Sequence, residues 1–263
     1  MAIDSINTNP TYTGYNRQVD SATESLTSGK RINNSADDAA GQAIVTAMTS
    51  QINAQDQGVR NANDGINLMQ TAGGATQNIQ SQLQTLSTLS IQAMNGTYTD
   101  AQRQMMNEQF NQTLQGIDQI AQNTQFNGMN LLNGDTNNVN IALGESSSEL
   151  TMANLTNANT GLNGLNINTA ADAEAAYDQI SQTMGTLEDT LASFGAQQNA
   201  LTSAADNLMN QNVNTQASRS QINDTDFARA VTEQSRQQIL QQTQIAMQAQ
   251  GNRTQSDVLA LLA

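Results

Sequence analysis

Two adjacent carboxylates, Asp37 and Asp38, are the side chains of this sequence whose pairing most suggests chemistry. Neighbouring acids can act as a general acid and a general base when both reach one substrate. A polar run at 30–36 precedes them and the small residues 39–41 follow them, which predicts the start of a helix. Adjacent helical residues point about 100° apart, so the two acids form a poor catalytic pair.

Helix capping explains the same residues better. Ser35 and Asp38 have the spacing S-x-x-D, which is close to a capping box. We therefore predict that Ser35 caps a helix whose first turn holds Asp37 and Asp38, where the helix dipole favours negative charge by about 0.3–1 kcal/mol each.

The inventory of side chains excludes several kinds of active site. The chain has no His and no Cys, which excludes serine–histidine triads, thiolate nucleophiles and the usual zinc sites. The run N-A-N-D-G at 61–65 resembles a calcium loop, but Ala62 stands where a ligand oxygen is needed. The triplet N-G-T at 95–97 has the N-x-S/T form of a glycosylation acceptor, but we attribute it to chance because the chain is rich in Asn and Thr. We predict no enzyme activity, no metal and no cofactor.

Charge and hydropathy exclude two kinds of partner. The formal net charge is −14 with 9 Lys and Arg, so neither nucleic acid nor an anionic membrane surface is expected to bind. No apolar run approaches the roughly 20 residues of a membrane span. The first twenty residues lack the pattern of a cleavable signal peptide.

Composition favours long, thinly packed helices. Apolar residues make up 37% of the chain and aromatic residues only 3%, which suits helix-on-helix packing better than a thick core. The one proline is Pro10, so little interrupts the helices that follow it.

Apolar periodicity predicts where these helices lie. Helical tracts are expected at 11–28, from about 35 to 95, at 99–123, from 169 with a break near 212–218, and at 222–262. The tract from 169 has a heptad seam typical of a coiled coil. The seam comprises Tyr177, Ile180, Met184, Leu187, Leu191, Phe194, Leu201 and Leu208.

The centre of the chain differs from both ends. Residues 124–168 carry Asn-Gly pairs at 127–128, 133–134 and 163–164 and the alternating run NVNIAL, which predicts small β-hairpins. The fold class is therefore mainly α. Segments from the N- and C-terminal parts form an elongated antiparallel helical bundle or coiled coil, with a small β-hairpin region in the middle.

Four blocks of the sequence resemble bacterial flagellins. They are LTSGKRINNSADDAAGQAI at 26–44, RNANDGI at 60–66, NTQFNGMNLLNG at 123–134, and a C-terminal group. The C-terminal group consists of SRSQINDTDFARAV, SRQQILQQ and VLALL. These blocks occur in the family's order and cover most of the chain outside about 138–165.

The resemblance implies a structural subunit that polymerises with itself into the bacterial flagellar filament for motility. It implies a coiled-coil inner tube from 1–34 and 217–263, and a second layer from 35–168, including the hairpins, and 169–216. It also implies type III export of the unfolded chain, an export chaperone, cap and hook-junction partners, and an extracellular filament. A hook–filament junction protein, or a minor flagellin that needs a partner, is the alternative.

The resemblance also assigns surfaces. Terminal-helix residues expected in self-assembly are Val231, Ile239, Leu240, Ile245, Leu259 and Leu262. The helix that faces the vertebrate flagellin-sensing Toll-like receptor corresponds to Gln84, Thr85, Ser87, Thr88, Leu89 and Gln92. Strongly sensed flagellins often read Q-R-x-R-E-L-x-x-Q there. Because Thr cannot supply the planar fork of Arg, weak receptor activation is expected.

One further departure concerns length. Between INTN at 6–9 and the block at 26–44 this chain has about seven residues fewer than is usual in the family, a loss that keeps the heptad phase. A shorter inner helix is therefore expected.

Overall fold

Five helices make up most of the computed structural model, which describes the backbone of residues 10–262 and the side chains of residues 17–254. In chain order they are α1 (Pro10–Ser28), α2 (Ala39–Met94), α3 (Asp100–Asn123), α4 (Ala170–Asn223) and α5 (Phe227–Leu262). The mainly α fold class is confirmed.

Two antiparallel hairpins lie between α3 and α4. Strands β1 (Gln125–Phe126) and β2 (Met129–Asn130) are joined by Asn127 and Gly128, which both have positive φ, as a type I′ turn requires. Strands β3 (Asn138–Leu143) and β4 (Ser146–Thr151) pair from Asn138 with Thr151 to Leu143 with Ser146. The predicted hairpins are confirmed, although the second one turns at Gly144 and not at an Asn-Gly pair.

The chain divides into two compact units. The terminal unit combines residues up to Ile52 with residues from Val213 onward, and the central unit spans Asn53–Asn212. The four ranges predicted as filament layers refer to the assembled filament, whereas these two units are those of a single chain.

Beside a small cluster of Ala62, Leu143 and Ala205, the central unit holds one large apolar core. Its fully buried members come from α2, α3, α4 and the segment between α3 and α4. They include Leu83, Leu86, Phe110, Ile117, Leu131, Leu150, Ile167, Ile180 and Leu187. Every residue of the predicted α4 seam is buried or half-buried, because a 3–4 spacing keeps one helical face against the core.

Side chains on two helices hold the hairpin β3–β4. The Asn61 amide on α2 donates to the Ala142 carbonyl at 2.8 Å. On α4, the side-chain oxygen Oε1 of Gln197 accepts from the Thr151 N–H at 2.8 Å. This bond satisfies one backbone N–H on the edge of β4. At Gly58 an added Cβ would lie 2.9 Å from the Leu143 carbonyl carbon, so the helix backbone approaches the hairpin too closely for any side chain.

The structure corrects two predicted helix boundaries. The break expected near 212–218 is wrong, since α4 continues to Asn223 and the interruption falls between Asn223 and Phe227. The second helix begins at Ala39 and not near Ser35. It continues without interruption for 56 residues, about 84 Å at 1.5 Å per residue, because no glycine in it adopts positive φ.

Two glycine substitutions on α2 should change stability in opposite directions. Gly58→Ala should destabilise the central unit by about 1–3 kcal/mol, because its methyl group would overlap the hairpin backbone. Gly74→Ala, where no atom lies within 4 Å of the new Cβ, should stabilise the helix by about 0.5–1 kcal/mol. Thermal unfolding of both variants would measure the difference, and two shifts of the same sign would contradict this packing.

Candidate assembly surface

The paired acids have two separate structural roles. Asp38 caps α2, since its Oδ1 accepts from the Gly41 N–H at 2.8 Å. The Asp37 Oδ2 accepts from the backbone N–H groups of Asn33 and Asn34, both at 3.0 Å, and so holds the preceding turn. The prediction that Ser35 is the cap is wrong, because the helix starts four residues later and Ser35 lies exposed in that turn.

The segment before this cap joins the two ends of the chain within the terminal unit. The Arg31 N–H donates to the Asn223 carbonyl at 2.6 Å, and the Arg31 guanidinium reaches the Ile222 carbonyl at 2.8 Å. The Thr225 N–H donates to the Gly29 carbonyl at 3.1 Å. Gly29 has a φ of +69°, a left-handed conformation that ends α1.

The helix expected to face the receptor exposes only part of the predicted set. Gln84, Thr85, Thr88 and Gln92 are exposed on α2, and Ser87 is half-buried. Leu89 is 6% exposed and belongs to the core of the central unit, so its side chain does not lie on the exposed face of α2. Position 89 continues the stripe of Leu83 and Leu86, which explains its burial.

Helices α1 and α5 pack against each other in the terminal unit through a polar seam. Along α5, one face of buried or half-buried residues recurs at gaps of four and three, which is the spacing of a coiled-coil seam. This face, which we call the glutamine seam, comprises Ala230, Gln234, Gln237, Gln241, Gln244 and Gln248. The Gln234 amide donates to the Thr23 hydroxyl of α1 at 3.0 Å.

Gln237 is the most buried residue of the glutamine seam, at 8% exposed. Its amide nitrogen donates to the Glu233 carboxylate at 2.8 Å. Its Oε1 is buried and finds no hydrogen-bond donor within the part of the chain whose side chains are described. A cavity of about 390 Å³ beside it is lined by both helices, including Ser21, Ala22 and Ser25 of α1. Beside Gln237 the two helices are therefore not closely packed.

Five large apolar side chains on the described part of α5 are exposed. Ile239 is 62% exposed and Met247 is 70% exposed, while Phe227, Val231 and Ile245 are also exposed. Val231, Ile239 and the half-buried Leu240 line a surface groove of about 490 Å³ with Thr232, Ser235 and Arg236. Of the predicted assembly residues, Leu259 and Leu262 lie outside the residues whose side chains are described.

The polar character of the seam was not predicted from the sequence. Glutamine is normally a surface residue, and a run of glutamines carries no apolar periodicity that would mark a buried face. The signal that was available is the heptad spacing of Gln234, Gln237, Gln241 and Gln244.

Comparison with known families decides the identity of this arrangement. A model of the bacterial flagellin N-terminal helical region matches residues 2–137, and a model of the flagellin C-terminal helical region matches residues 177–262. The chain belongs to the bacterial flagellin family. Its role is that of a structural subunit of the flagellar filament.

Relatives of this flagellin match over nearly its whole length. A flagellin of Halalkalibacterium halodurans is 38% identical, covering 93% of this chain and 92% of the relative. A flagellar filament core protein of Brachyspira hyodysenteriae is 32% identical, covering 99% and 98%. The crystal structure of Bacillus cereus flagellin is similar with a TM-score of 0.52 and 27% identity, covering 57% of this chain and 88% of that one.

Two further features are absent from the described residues of this flagellin. Helices there do not combine the length and apolar character needed to cross a membrane. Likewise, within those residues no three acidic side chains converge as a metal site would require.

Replacing Gln237 should strengthen the pairing of α1 with α5. Gln237→Leu removes a buried acceptor that lacks a donor, a defect that costs about 1–3 kcal/mol, and adds apolar burial. Amide hydrogen exchange along α1 and α5 of the monomer should slow. The neighbouring Gln238 is exposed, so Gln238→Leu serves as the matched control and should leave exchange unchanged. Faster exchange in Gln237→Leu would show that the glutamine stabilises the pair.

Proposed function

We propose that this flagellin polymerises with copies of itself and that the outward apolar side chains of α5 form contacts between subunits. The observation that carries the proposal is the inverted polarity of α5, in which the glutamine seam lies on the buried face while Val231, Ile239 and Ile245 are exposed. In an isolated helix pair these residues would keep apolar surface in water, which is unfavourable by roughly 25 cal/mol per Å².

The second copy is the occupant that fits the α5 groove best. A chain that repeats one heterologous contact, in which a patch meets a different patch of the next copy, generates an open helical polymer. The chain carries a net charge of −14, which disfavours non-specific association and makes a specific apolar patch the main attractive surface. Arg236 at the groove, paired with Glu233 at 3.8 Å, supplies a cation at its rim.

The layer assignment extends this proposal. Segments 1–34 and 217–263 would form the inner tube, and 35–168 with 169–216 the surrounding layer. Type III export, an export chaperone, and contacts with cap and hook-junction proteins belong to the same proposal. This part of the proposal rests on the family resemblance and on the glutamine seam. The low stability of that seam would let α1 and α5 separate for export.

Substitution at Ile239 tests the assembly surface. Ile239→Thr places a hydroxyl where apolar burial is expected, and Ile239→Val is the matched control because Val and Thr have the same branched shape. Ile239→Thr should raise the critical concentration for polymerisation at least roughly tenfold, the equivalent of about 1.4 kcal/mol per contact. Ile239→Val should change it far less.

The readout is seeded polymerisation of purified chain followed by electron microscopy. Circular dichroism of each monomer checks that the helices are retained. Long filaments from the unchanged chain alone support a homopolymer. Short rings, or soluble monomer that polymerises only with a second flagellin, would instead favour a junction protein or a minor flagellin. Equal critical concentrations for the two variants would remove Ile239 from the interface.

We further propose that the vertebrate flagellin-sensing receptor responds weakly to this chain, because Thr85 and Thr88 stand where strongly sensed flagellins carry Arg and Glu. Both positions are exposed on α2, so charged side chains fit there without disturbing the core. The double substitution Thr85→Arg and Thr88→Glu should raise the response of reporter cells by at least roughly tenfold, since charge-assisted hydrogen bonds contribute about 1.5–3 kcal/mol. A response of the unchanged chain equal to that of a strongly sensed flagellin would refute the proposal.

A further inference from the structure

The turn that follows α2 holds an Asn-Gly-Thr sequence in an ordered hydrogen-bonded arrangement. The Oδ1 of Asn95 accepts from both the backbone N–H of Thr97 at 3.0 Å and the Thr97 hydroxyl at 2.9 Å. The Tyr98 N–H donates to the Asn95 carbonyl at 3.3 Å, which closes the turn. Residues 95–97 are exposed.

We propose that Asn95 is a self-modification site, at which the chain converts this asparagine to aspartate and isoaspartate. The backbone nitrogen of Gly96 attacks Cγ of the Asn95 side chain, and a bond forms between these two atoms. The bond from Cγ to Nδ2 breaks and ammonia leaves, with the Gly96 amide proton passing through solvent base to the departing nitrogen. Water then opens the resulting succinimide at one of its two carbonyls. The only co-reactant is water, and nothing is oxidised or reduced.

The two donors from Thr97 are placed where negative charge develops. Attack at Cγ turns the amide oxygen Oδ1 into an oxyanion, and hydrogen bonds aimed at such an oxygen lower the barrier. The same bonds fold the side chain into an Asx turn, which brings Cγ back towards the nitrogen of the next residue. This orientation reduces the entropy that the attack must lose.

The attacking nitrogen is also free. No acceptor for the Gly96 N–H lies in the described part of the chain, and no atom lies within 4 Å of a Cβ built on Gly96. Water can therefore reach both the nitrogen and the leaving group.

Three other Asn-Gly pairs lack this combination. The side chains of Asn127 and Asn163 have no hydrogen bond in the part of the chain whose side chains are described, so nothing there stabilises an oxyanion. At Asn133 the Oδ1 accepts from the Asp135 N–H at 3.0 Å, but Nδ2 donates to the Asp135 carboxylate. The amides of Asn130 and Asn133 hold the pKa of Asp135 below its usual value, so the carboxylate is ionised at neutral pH and repels an oxyanion.

Asn154 has the same two kinds of hydrogen-bond donor as Asn95, but the backbone nitrogen that would attack it is not free. Its Oδ1 accepts from the N–H and the hydroxyl of Thr156, at 3.2 and 2.8 Å, as Asn95 does from Thr97. The next residue, however, is the buried Leu155, whose N–H donates to the Leu132 carbonyl at 2.8 Å. With its nitrogen engaged and its side chain packed, this site should stay unmodified.

Conversion would alter the junction between α2 and α3. Arg103, whose side chain is mostly buried, donates from Nη1 to the carbonyls of Ala93 and Asn95, both at 3.3 Å. An aspartate at 95 would place a carboxylate near this guanidinium. An isoaspartate would lengthen the main chain by one carbon and displace the Asn95 carbonyl from Arg103. A filament subunit that persists outside the cell would accumulate this change with age.

The test incubates the folded, full-length monomer at mildly alkaline pH and follows each asparagine by peptide mapping with mass spectrometry. Asn95 should convert at least roughly tenfold faster than Asn127 or Asn163, which lack both donors, and at least roughly threefold faster than Asn133, while Asn154 should not convert. Thr97→Val, which removes only the hydroxyl donor, should slow Asn95 at least roughly threefold without changing Asn163. Thr97→Ser should keep the rate.

Denaturant supplies the control for local sequence. In concentrated urea the four Asn-Gly pairs should convert at similar rates, because only the folded turn distinguishes them. The proposal is overturned if Asn95 in the folded chain reacts no faster than Asn163. It is equally overturned if Thr97→Val leaves the rate at Asn95 unchanged, or if the preference for Asn95 persists in urea.

Discussion

The contact between α1 and α5 is the constraint on which the account of the terminal unit depends. Coiled-coil seams usually gain their stability from apolar side chains at the two inward positions of each heptad. Here those positions on α5 are glutamines, and the most buried of them, Gln237, leaves its Oε1 without a donor. Fixing each residue of a helix costs about 1–2 kcal/mol of backbone entropy, and a polar seam offsets little of it. Under the proposed function, additional burial comes from the exposed apolar face of α5.

The central unit has the opposite arrangement. Its helices α2, α3 and α4 bury leucine, isoleucine and phenylalanine in a large cluster to which hairpin residues such as Leu150 also belong. Gly58 permits the close approach of β3–β4, and Asn61 and Gln197 satisfy backbone groups at the hairpin. The two units thus differ in where their apolar side chains lie, buried in the central unit and partly exposed on α5 in the terminal unit.

Sequence periodicity predicted the central unit better than the terminal one. The heptad seam on α4 was correct because apolar residues at 3–4 spacing have few alternatives to burial. The end of α4 was misplaced because the polar residues of 212–218 resemble a loop, yet they continue the helix.

The cap was assigned to Ser35 on motif spacing, whereas Asp38 is the residue that reaches the Gly41 N–H. The burial of Leu89 could have been predicted, since it shares the stripe of Leu83 and Leu86. The buried glutamines could not have been found by hydropathy.

Amide hydrogen exchange along α5, compared between monomer and filament, tests the central claim most directly. If the glutamine seam is too weak to hold the pair alone, α5 amides should exchange rapidly in the monomer while the α4 amides around Ile180 to Leu201 stay protected. In the filament, protection of α5 should rise to the level of α4. Equal and strong protection of α5 in both states would contradict the account, because the helix pair would then be stable without its neighbours.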